Sequence, residues 1–429
     1  MSARVQMREP RFVMFVRPMP SGWFTLTRRD SRIGSESRWV LPSSMARLVR
    51  QLQRLDSGLG LVGRPIERGT NTMRLNFRIG MLCALMGLAQ TARAQTITTF
   101  DVPGAVGTYP VAIGAFGRVT GSYVDINQVR HGFVRNASGA ITSFDAPAAG
   151  SSNGLGTGVS ASNFLGEIVG SALNVTDRYV SRSFIRSPNG RFTQFDGAPG
   201  AIYTDAEAIN LQGWVAGTYA DAGYDTHGFV RFAHGAITTF DVPGFIGVIN
   251  QIEPGGEVVG SYIESNGFGH GFVHKLDGTL TAFEAPGATR DVDGIGCGKC
   301  SGTLTTAANA AGRIVGYFGD ASGAIHGFLR ERTGKIAVLD VPASSATFPL
   351  AINLEGDIAG RYKDATGSVR GFLRAKDGSV ESFDVPGLIY GNLIVTGLAP
   401  EGDVLGYYQD ASAAYRGFVR NPKPRCEPR

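Results

Sequence analysis

The sequence predicts an all-β protein, a seven-bladed β-propeller of four-stranded blades closed by the N-terminal strand joining the C-terminal blade. Three observations predict it. One set of motifs occurs seven times, one hairpin keeps an invariant length, and the two ends of the repeat region carry complementary fragments of one unit.

The first motif is a basic residue, a small residue and Phe. It occurs as His131-Gly132-Phe133, Arg182-Ser183-Phe184, His227-Gly228-Phe229, His270-Gly271-Phe272, His326-Gly327-Phe328, Arg370-Gly371-Phe372 and Arg416-Gly417-Phe418. The second ends a short apolar run with an acid: Phe100-Asp101, Phe144-Asp145, Phe195-Asp196, Phe240-Asp241, Phe283-Glu284, Leu339-Asp340 and Phe383-Asp384. A third has a β-branched residue two positions before Gly121, Gly170, Gly217, Gly260, Gly316, Gly360 and Gly406, usually with an aromatic residue soon after. A weaker Ala-Ile-Asn element precedes it, clearest at Ala208-Ile209-Asn210 and Ala351-Ile352-Asn353. Each motif sits in a short run rich in Val, Ile, Phe, Tyr and Thr bounded by turn residues, which reads as a strand. The unit is therefore four strands, here lettered a (Ala-Ile-Asn), b (Val-x-Gly), c (His-Gly-Phe) and d (Phe-Asp).

In all six complete cases 14 residues separate the basic residue of strand c from the acid ending strand d. A fixed separation means a hairpin of fixed length, and its turn carries Gly139, Gly190, Gly235, Gly278, Gly334 or Gly378, where a short loop needs positive φ. The hairpin then sets His131 against Asp145, Arg182 against Asp196, His227 against Asp241, His270 against Glu284, His326 against Asp340 and Arg370 against Asp384. These pairs read as structural latches, because a catalytic group is needed once and these recur in every unit. Such a cross-strand pair contributes only about 0.2–1 kcal/mol. Burying the adjacent Phe contributes about 1.5–3 kcal/mol, which fits an unvarying Phe beside a variable cation.

The repeat region begins with a lone strand d, Thr96 to Asp101, and ends with a unit that has strands a, b and c only. The orphan strand would complete the orphan blade and remove exposed sheet edges. From Gln95 onward the chain allows about 48 residues per unit, within the range of four-stranded propeller blades.

Charge divides the chain differently. Residues 1–94 hold 16 Arg, no Lys and 5 acids, whereas from Gln95 onward 25 Lys and Arg face 31 Asp and Glu, six negative charges in excess. The overall positive charge is therefore no nucleic-acid footprint, which would need cations clustered on the folded part. Residues 73–94 read as a signal peptide. Arg74 and Arg78 form the n-region, Ile79 to Leu88 the apolar core, and Ala92-Arg93-Ala94 the cleavage site. The apolar run is too short for a transmembrane helix, which needs about 20 residues. Residues 1–72 are expected to lie outside the native protein or to form a disordered basic leader, 95–420 to be the propeller and 421–429 a tail. The mature chain is expected to be secreted or periplasmic after cleavage following Ala94, monomeric and without a transmembrane segment.

Cys297 and Cys300 could pair as a small-loop disulfide in an oxidising compartment, leaving Cys426 alone. No helical pattern surrounds them to lower a thiol pKa, and no further Cys or His stands at zinc-ligand spacing. Neither a metal nor a cofactor is expected.

The pattern Ala-Ile-Asn-x-x-Gly-x-Val-x-Gly followed by His-Gly-Phe-Val-Arg resembles the extracellular repeat family named for its His-Ala-Phe (HAF) motif, over essentially all of the mature chain. It departs in having Gly or Ser where that family usually has Ala, and Arg where an aromatic often ends the strand. The resemblance implies export from a bacterial cell and a repeat fold, and carries over no functional residue.

Between strands d and b the spacing runs from 19 to 32 residues, so the long excursions, Ala146 to Asn163 and Ala285 to Thr306, fall at one face of the ring. Function commonly rides on such loops over a rigid scaffold. Two classes remain. One is an exported binding or scaffolding module for an envelope or extracellular protein or glycan. The other is a propeller enzyme, a lyase or glycoside hydrolase, which would need carboxylates that break the repeat. Asp205 with Glu207, and Asp291 with Asp293, are the weak candidates for either role. Asp125, Asp221, Glu264, Asp320, Asp364 and Asp410, four residues after the strand-b Gly, read as turn formers rather than calcium ligands.

Overall fold

The computed structural model describes the strands Phe12–Pro18, Trp23–Asp30 and Glu36–Pro42, and residues 96–175, 179–289, 301–389 and 391–421. The chain divides into two compact units, Met1–Gln90 and Thr91–Arg429. Within the first, the three strands pair as an antiparallel meander, Phe12 opposite Asp30 and Trp23 opposite Pro42. The aromatic and β-branched residues of Phe-Val-Met-Phe-Val and Trp-Phe-Thr-Leu-Thr favour strands, and the high Arg content obscures them.

The second unit is all-β; among the described residues its only helical element is the 3-10 turn Ala115–Gly117. A four-stranded antiparallel set recurs along it. In the third set, Tyr203–Ile209 (a), Val215–Ala220 (b), Thr226–Arg231 (c) and Ile237–Phe240 (d) pair in sequence order. Short parallel bridges tie strand c of one set to strand a of the next, as in Arg130↔Gly156, Ser181↔Tyr203 and Ile325↔Ala346. They merge the sets into two large mixed sheets of 16 and 12 strands.

The motif glycines have a steric reason. Strand-b Gly121 pairs with Phe133 and strand-c Gly132 with Phe144. A Cβ on Gly132 would lie 2.4 Å from the Phe144 ring, and one on Gly121 would lie 2.8 Å from the Phe133 ring. Each ring lies flat over a glycine and covers its backbone. The six c–d turn glycines all take positive φ, from 87° to 97°.

The core sits between consecutive sets. The strand-c residues Phe133, Phe184, Phe229, Phe272, Phe328, Phe372 and Phe418 are wholly buried. Each apolar cluster spans two neighbours, as where Phe240 of the third set joins Ile246, Ile252 and Phe272 of the fourth. The Arg two residues after the strand-c Phe then stacks on the strand-d Phe of the preceding set. Arg186 lies over Phe144, Arg231 over Phe195, Arg330 over Phe283 and Arg420 over Phe383, at 4.6 to 5.0 Å from the ring centroid. His274 stacks on Phe240 at 4.1 Å in the same way.

The two ends of the repeat region meet through the same contacts. Strand Thr96–Phe100 pairs antiparallel with Tyr415–Asn421, Phe100 opposite Gly417. Tyr415 bridges to Gly107 in parallel, Val102 and Leu405 share a cluster with Phe133, and Arg135 stacks over Phe100 at 4.9 Å. Among the described residues no helix is long and apolar enough to cross a membrane.

Candidate functional site

The paired strand-c cations and strand-d acids meet at the open end of each c–d hairpin. His131, His227 and His326 each approach their acid through Nδ1 at 2.6 to 2.8 Å, and His270 approaches Glu284 at 3.2 Å. Arg182 and Arg370 donate two bonds each, to Asp196 and Asp384. Arg416 makes the same contact with Asp101, 2.6 Å away at the other end of the repeat region. A second acid stands behind several of them: Asp320 lies 3.2 Å from His326 Nε2, and Asp410 accepts from Arg416 Nε at 2.8 Å. That acid also builds its own turn, since Asp125 Oδ1 accepts the amides of Asn127 and Val129. The hydrogen bond to Asp241 raises the pKa of His227, while for His326 the bonds to Asp340 and Asp320 outweigh the opposing effect of burial. The strand-d acids remain open to solvent, Asp145 and Asp241 with more than half of the side chain exposed.

Two further ties escaped the sequence reading. Buried Thr108, Thr157, Thr204, Thr303 and Thr347 each accept, through Oγ1, the amide of the residue following the strand-d acid, at 2.8 to 3.1 Å. All five stand 13 residues before the strand-b Gly, a column legible once the units are aligned. The Asn of the Ala-Ile-Asn element also reaches forward. Asn163 Nδ2 donates to Asn210 O, Asn210 to Glu253 O, Asn309 to Asn353 O and Asn353 to Ala399 O, at 2.7 to 3.3 Å. Glu253 stands in this column. Its carboxyl is buried, neither oxygen has a hydrogen-bond partner among the described residues, and burial with the nearby Glu257 pushes its pKa up to about 7 against the pull of Arg332.

Of the repeat-breaking carboxylates, Asp205 and Glu207 lie together on strand a of the third set. Asp205 accepts from Tyr203 Oη, and from Ser181 Oγ at 3.0 Å. Glu207 occupies a β-bulge, which re-aims it toward the next set. There it accepts the Ile249 amide at 2.8 Å, together with Thr218 Oγ1 at 2.9 Å. Asn250 and Thr306, at the corresponding bulges, make the same kind of tie, to Thr306 O and Pro349 O. Burial pushes Glu207 up to about 7. One oxygen thus ties the third set to the fourth, and the other is held within the third set. Asp291, Asp293, Cys297, Cys300 and Cys426 lie outside the described residues. Among the described residues no group of three or more His, Cys, Asp or Glu could hold a metal ion.

What breaks the repeat most strongly is the residue after the strand-b Gly. It is small in the first four sets, Ser122, Ser171, Thr218 and Ser261, and large in the last three, Tyr317, Arg361 and Tyr407. Ser122 and Ser261 accept amides from strand a of the following set, Val159 and Thr305, so this position overlies the neighbour's first strand. Arg361 Nη1 reaches Leu393 O there at 3.0 Å, and its guanidinium lies 5.1 Å from the Phe348 ring. Tyr317 packs on Phe348 at 5.2 Å. Tyr407 meets Tyr109 and Tyr415 at 5.4 and 5.8 Å, and Tyr109 meets Tyr415 at 5.2 Å. Beyond Tyr109, the exposed Arg130 lies over strand a of the second set, where a Cβ on Gly158 would be 3.7 Å from its Nη1. The rings are half-buried, so one edge of the strip meets solvent.

The long excursion after Phe144 carries a shallow cleft lined by Ala149, Gly150, Ser152, Asn153, Leu155 and Asn174, without a charged group. No protein-family model matches the chain, and no curated protein matches it. Similar solved structures include TolB from Acinetobacter baumannii, 11% identical over 96% of this chain and 80% of that one, with a TM-score of 0.41. A puromycin hydrolase is 12% identical over 99% of this chain, with a TM-score of 0.45, and the chain spans only 60% of its length. A putative gluconolactonase is 13% identical over 68% of this chain and 93% of that one, with a TM-score of 0.33. At these scores and identities the likenesses carry no information about activity.

Proposed function

We propose that the repeat region is a closed seven-bladed β-propeller, exported from the cell and acting there as a binding module of the HAF-repeat type rather than as an enzyme. The ring reading is supported by the pairing of Thr96–Phe100 with Tyr415–Asn421 and by the stacking of Arg135 on Phe100, which repeats the contact made between consecutive sets. Export rests on the signal-like sequence ending at Ala94.

One observation carries the binding reading. Of the carboxylates that break the repeat, the two that are described, Asp205 and Glu207, spend their oxygens on Tyr203, Ser181, Thr218 and the Ile249 amide, while the residues left half-open at the strand-b column are aromatic rings and a guanidinium group. Rings and guanidinium groups hold ligands; without a free acid or base they do not cleave them. A screen of the purified full chain against polysaccharides and envelope extracts tests this. Saturable binding without product release is the expected result. Turnover abolished by Asp205→Asn or Asp291→Asn would replace the binding module with a lyase or hydrolase.

A further inference from the structure

We propose that the strip formed by Tyr317, Arg361, Tyr407, Tyr109, Tyr415 and Arg130 is a binding site for an acidic saccharide, a linear glycan whose pyranose rings carry carboxylate or sulfate. This deepens the binding reading above and rests on it.

The inference starts from charge. Among the described residues neither Arg130 nor Arg361 has an ion-pair partner, whereas Arg182, Arg370 and Arg416, which stand before the small residue and Phe of the strand-c motif, are all paired with carboxylates. Arg361 is also half-buried, and its Nε finds no acceptor. A guanidinium taken partly out of water without a counter-ion is costly to keep, and a carboxylate or sulfate is the group whose geometry answers its fork. Burial lowers the pKa of Arg361, the direction that an arriving anion would reverse.

The rings add shape. Tyr109, Tyr407 and Tyr415 lie at interplanar angles of 40° to 78°, so they offer faces in several directions together with three phenol groups. Faces of this kind stack on sugar rings while the hydroxyls bond ring substituents. The strip draws on the fifth, sixth, seventh and first sets and the edge of the second. That extent suits a linear chain better than a compact metabolite. Two cations spaced along it match a polymer of sparse charge. A nucleic acid, with a phosphate at every nucleotide, would need a denser run of cations than this acidic domain has.

The test uses the full chain and three defined oligosaccharides of equal length in calorimetric titration: an oligogalacturonate, a sulfated oligosaccharide and a neutral cello-oligosaccharide. At least one acidic ligand is expected to bind with marked salt sensitivity, and the neutral one at least about tenfold more weakly. The two acidic ligands distinguish carboxylate from sulfate. Arg130→Gln, at an exposed position, and Arg361→Lys, which keeps charge but loses the fork, are each expected to weaken binding about tenfold or more. Exposed Lys335→Gln is the charge-matched control and is expected to leave affinity unchanged. Thermal melts establish that every variant is folded. Equal affinity for the neutral ligand, acidic binding that survives both Arg substitutions, or no saccharide binding at all overturns the inference. In the last case, saturable binding of a protein from the envelope would leave the binding-module reading standing, whereas turnover of any ligand would sink that reading itself.

Discussion

Strands c and d and strands a and b of the same sets have been shaped by different demands. Strands c and d repeat themselves: cation, small residue, buried Phe and acid make the same contacts from one set to the next. Strands a and b share backbone geometry, a bulge opposite the strand-b Gly, but fill the position after that Gly with residues as unlike as Ser122, Arg361 and Tyr407. Where side chains hold sets together they are interchangeable; where they face solvent near the first strands they are individual. Uniformity therefore marks the scaffold and departure from it marks the candidate site.

The largest expected effect tests whether the scaffold of c–d hairpins depends on the strand Thr96–Phe100. Deleting Thr96–Phe100 removes the partner of Tyr415–Asn421, uncovers Gly417 and takes Phe100 from beneath Arg135. Loss of a cooperative melt, with aggregation through the bared edge, is the expected outcome. An equal deletion within residues 290–300, in the longest of the seven spacings between strands d and b, should lower the melting temperature far less, since the length of a connection adds only about 0.6 kcal/mol per doubling. If that second deletion proved the more damaging, the closed ring would be the wrong architecture.

Much of the c–d scaffold was legible in the sequence because its spacing is rigid: 14 residues from cation to acid leave one hairpin geometry, and the structure sets His131 beside Asp145 accordingly. The candidate site was harder to read. Glu207 looked like a candidate acid because a β-bulge cannot be seen in a sequence, and the bulge is what turns it toward the Ile249 amide. Tyr317, Arg361 and Tyr407 are ordinary strand residues by composition. Only reading down the column after each strand-b Gly, across aligned units, separates them from Ser122 or Ser261.

A smaller effect is expected where the fourth set places an acid in the Asn ladder. Glu253 stands where other sets place Asn163, Asn210, Asn309 and Asn353, which donate to the next set. Its pKa is raised to about 7, so between about pH 4.5 and 7 the folded state holds a proton that the unfolded chain has released. Stability contributed by this group is full below that window and falls as pH rises through it. Glu253→Gln supplies a neutral donor and should raise stability by about 1–3 kcal/mol near pH 8, with little change near pH 4. Glu207, raised to about 7 by its own burial, contributes a decline over the same window, so the substitution should flatten the pH profile in part. Urea unfolding at the two pH values checks this. An equal gain at both would mean that the carboxyl is not protonated in the fold.

The smallest effect separates the two kinds of c–d latch. Arg182 and Arg370 hold their acids at any pH near neutrality, but His227 holds Asp241 fully only while the imidazole is protonated. The bond to Asp241 raises the His227 pKa, so its contribution is complete below the ordinary value of 6.5 and is lost as pH rises through the higher folded value. Both partners meet solvent, Asp241 with three quarters of its side chain exposed, and the contribution should stay within about 0.2–1 kcal/mol and shrink with salt. His227→Arg tests the comparison directly, because it imports the chemistry of the second and sixth sets into the third. The variant is expected to match the parent near pH 5 and to exceed it slightly near pH 8, with Phe229 still buried. Hydrogen exchange of the Thr226–Arg231 amides, followed at both pH values, would register a change too small for a melt. If the variant lost protection at both, the ring of His227 would matter for its stacking on Tyr219, 4.9 Å away, more than for its charge.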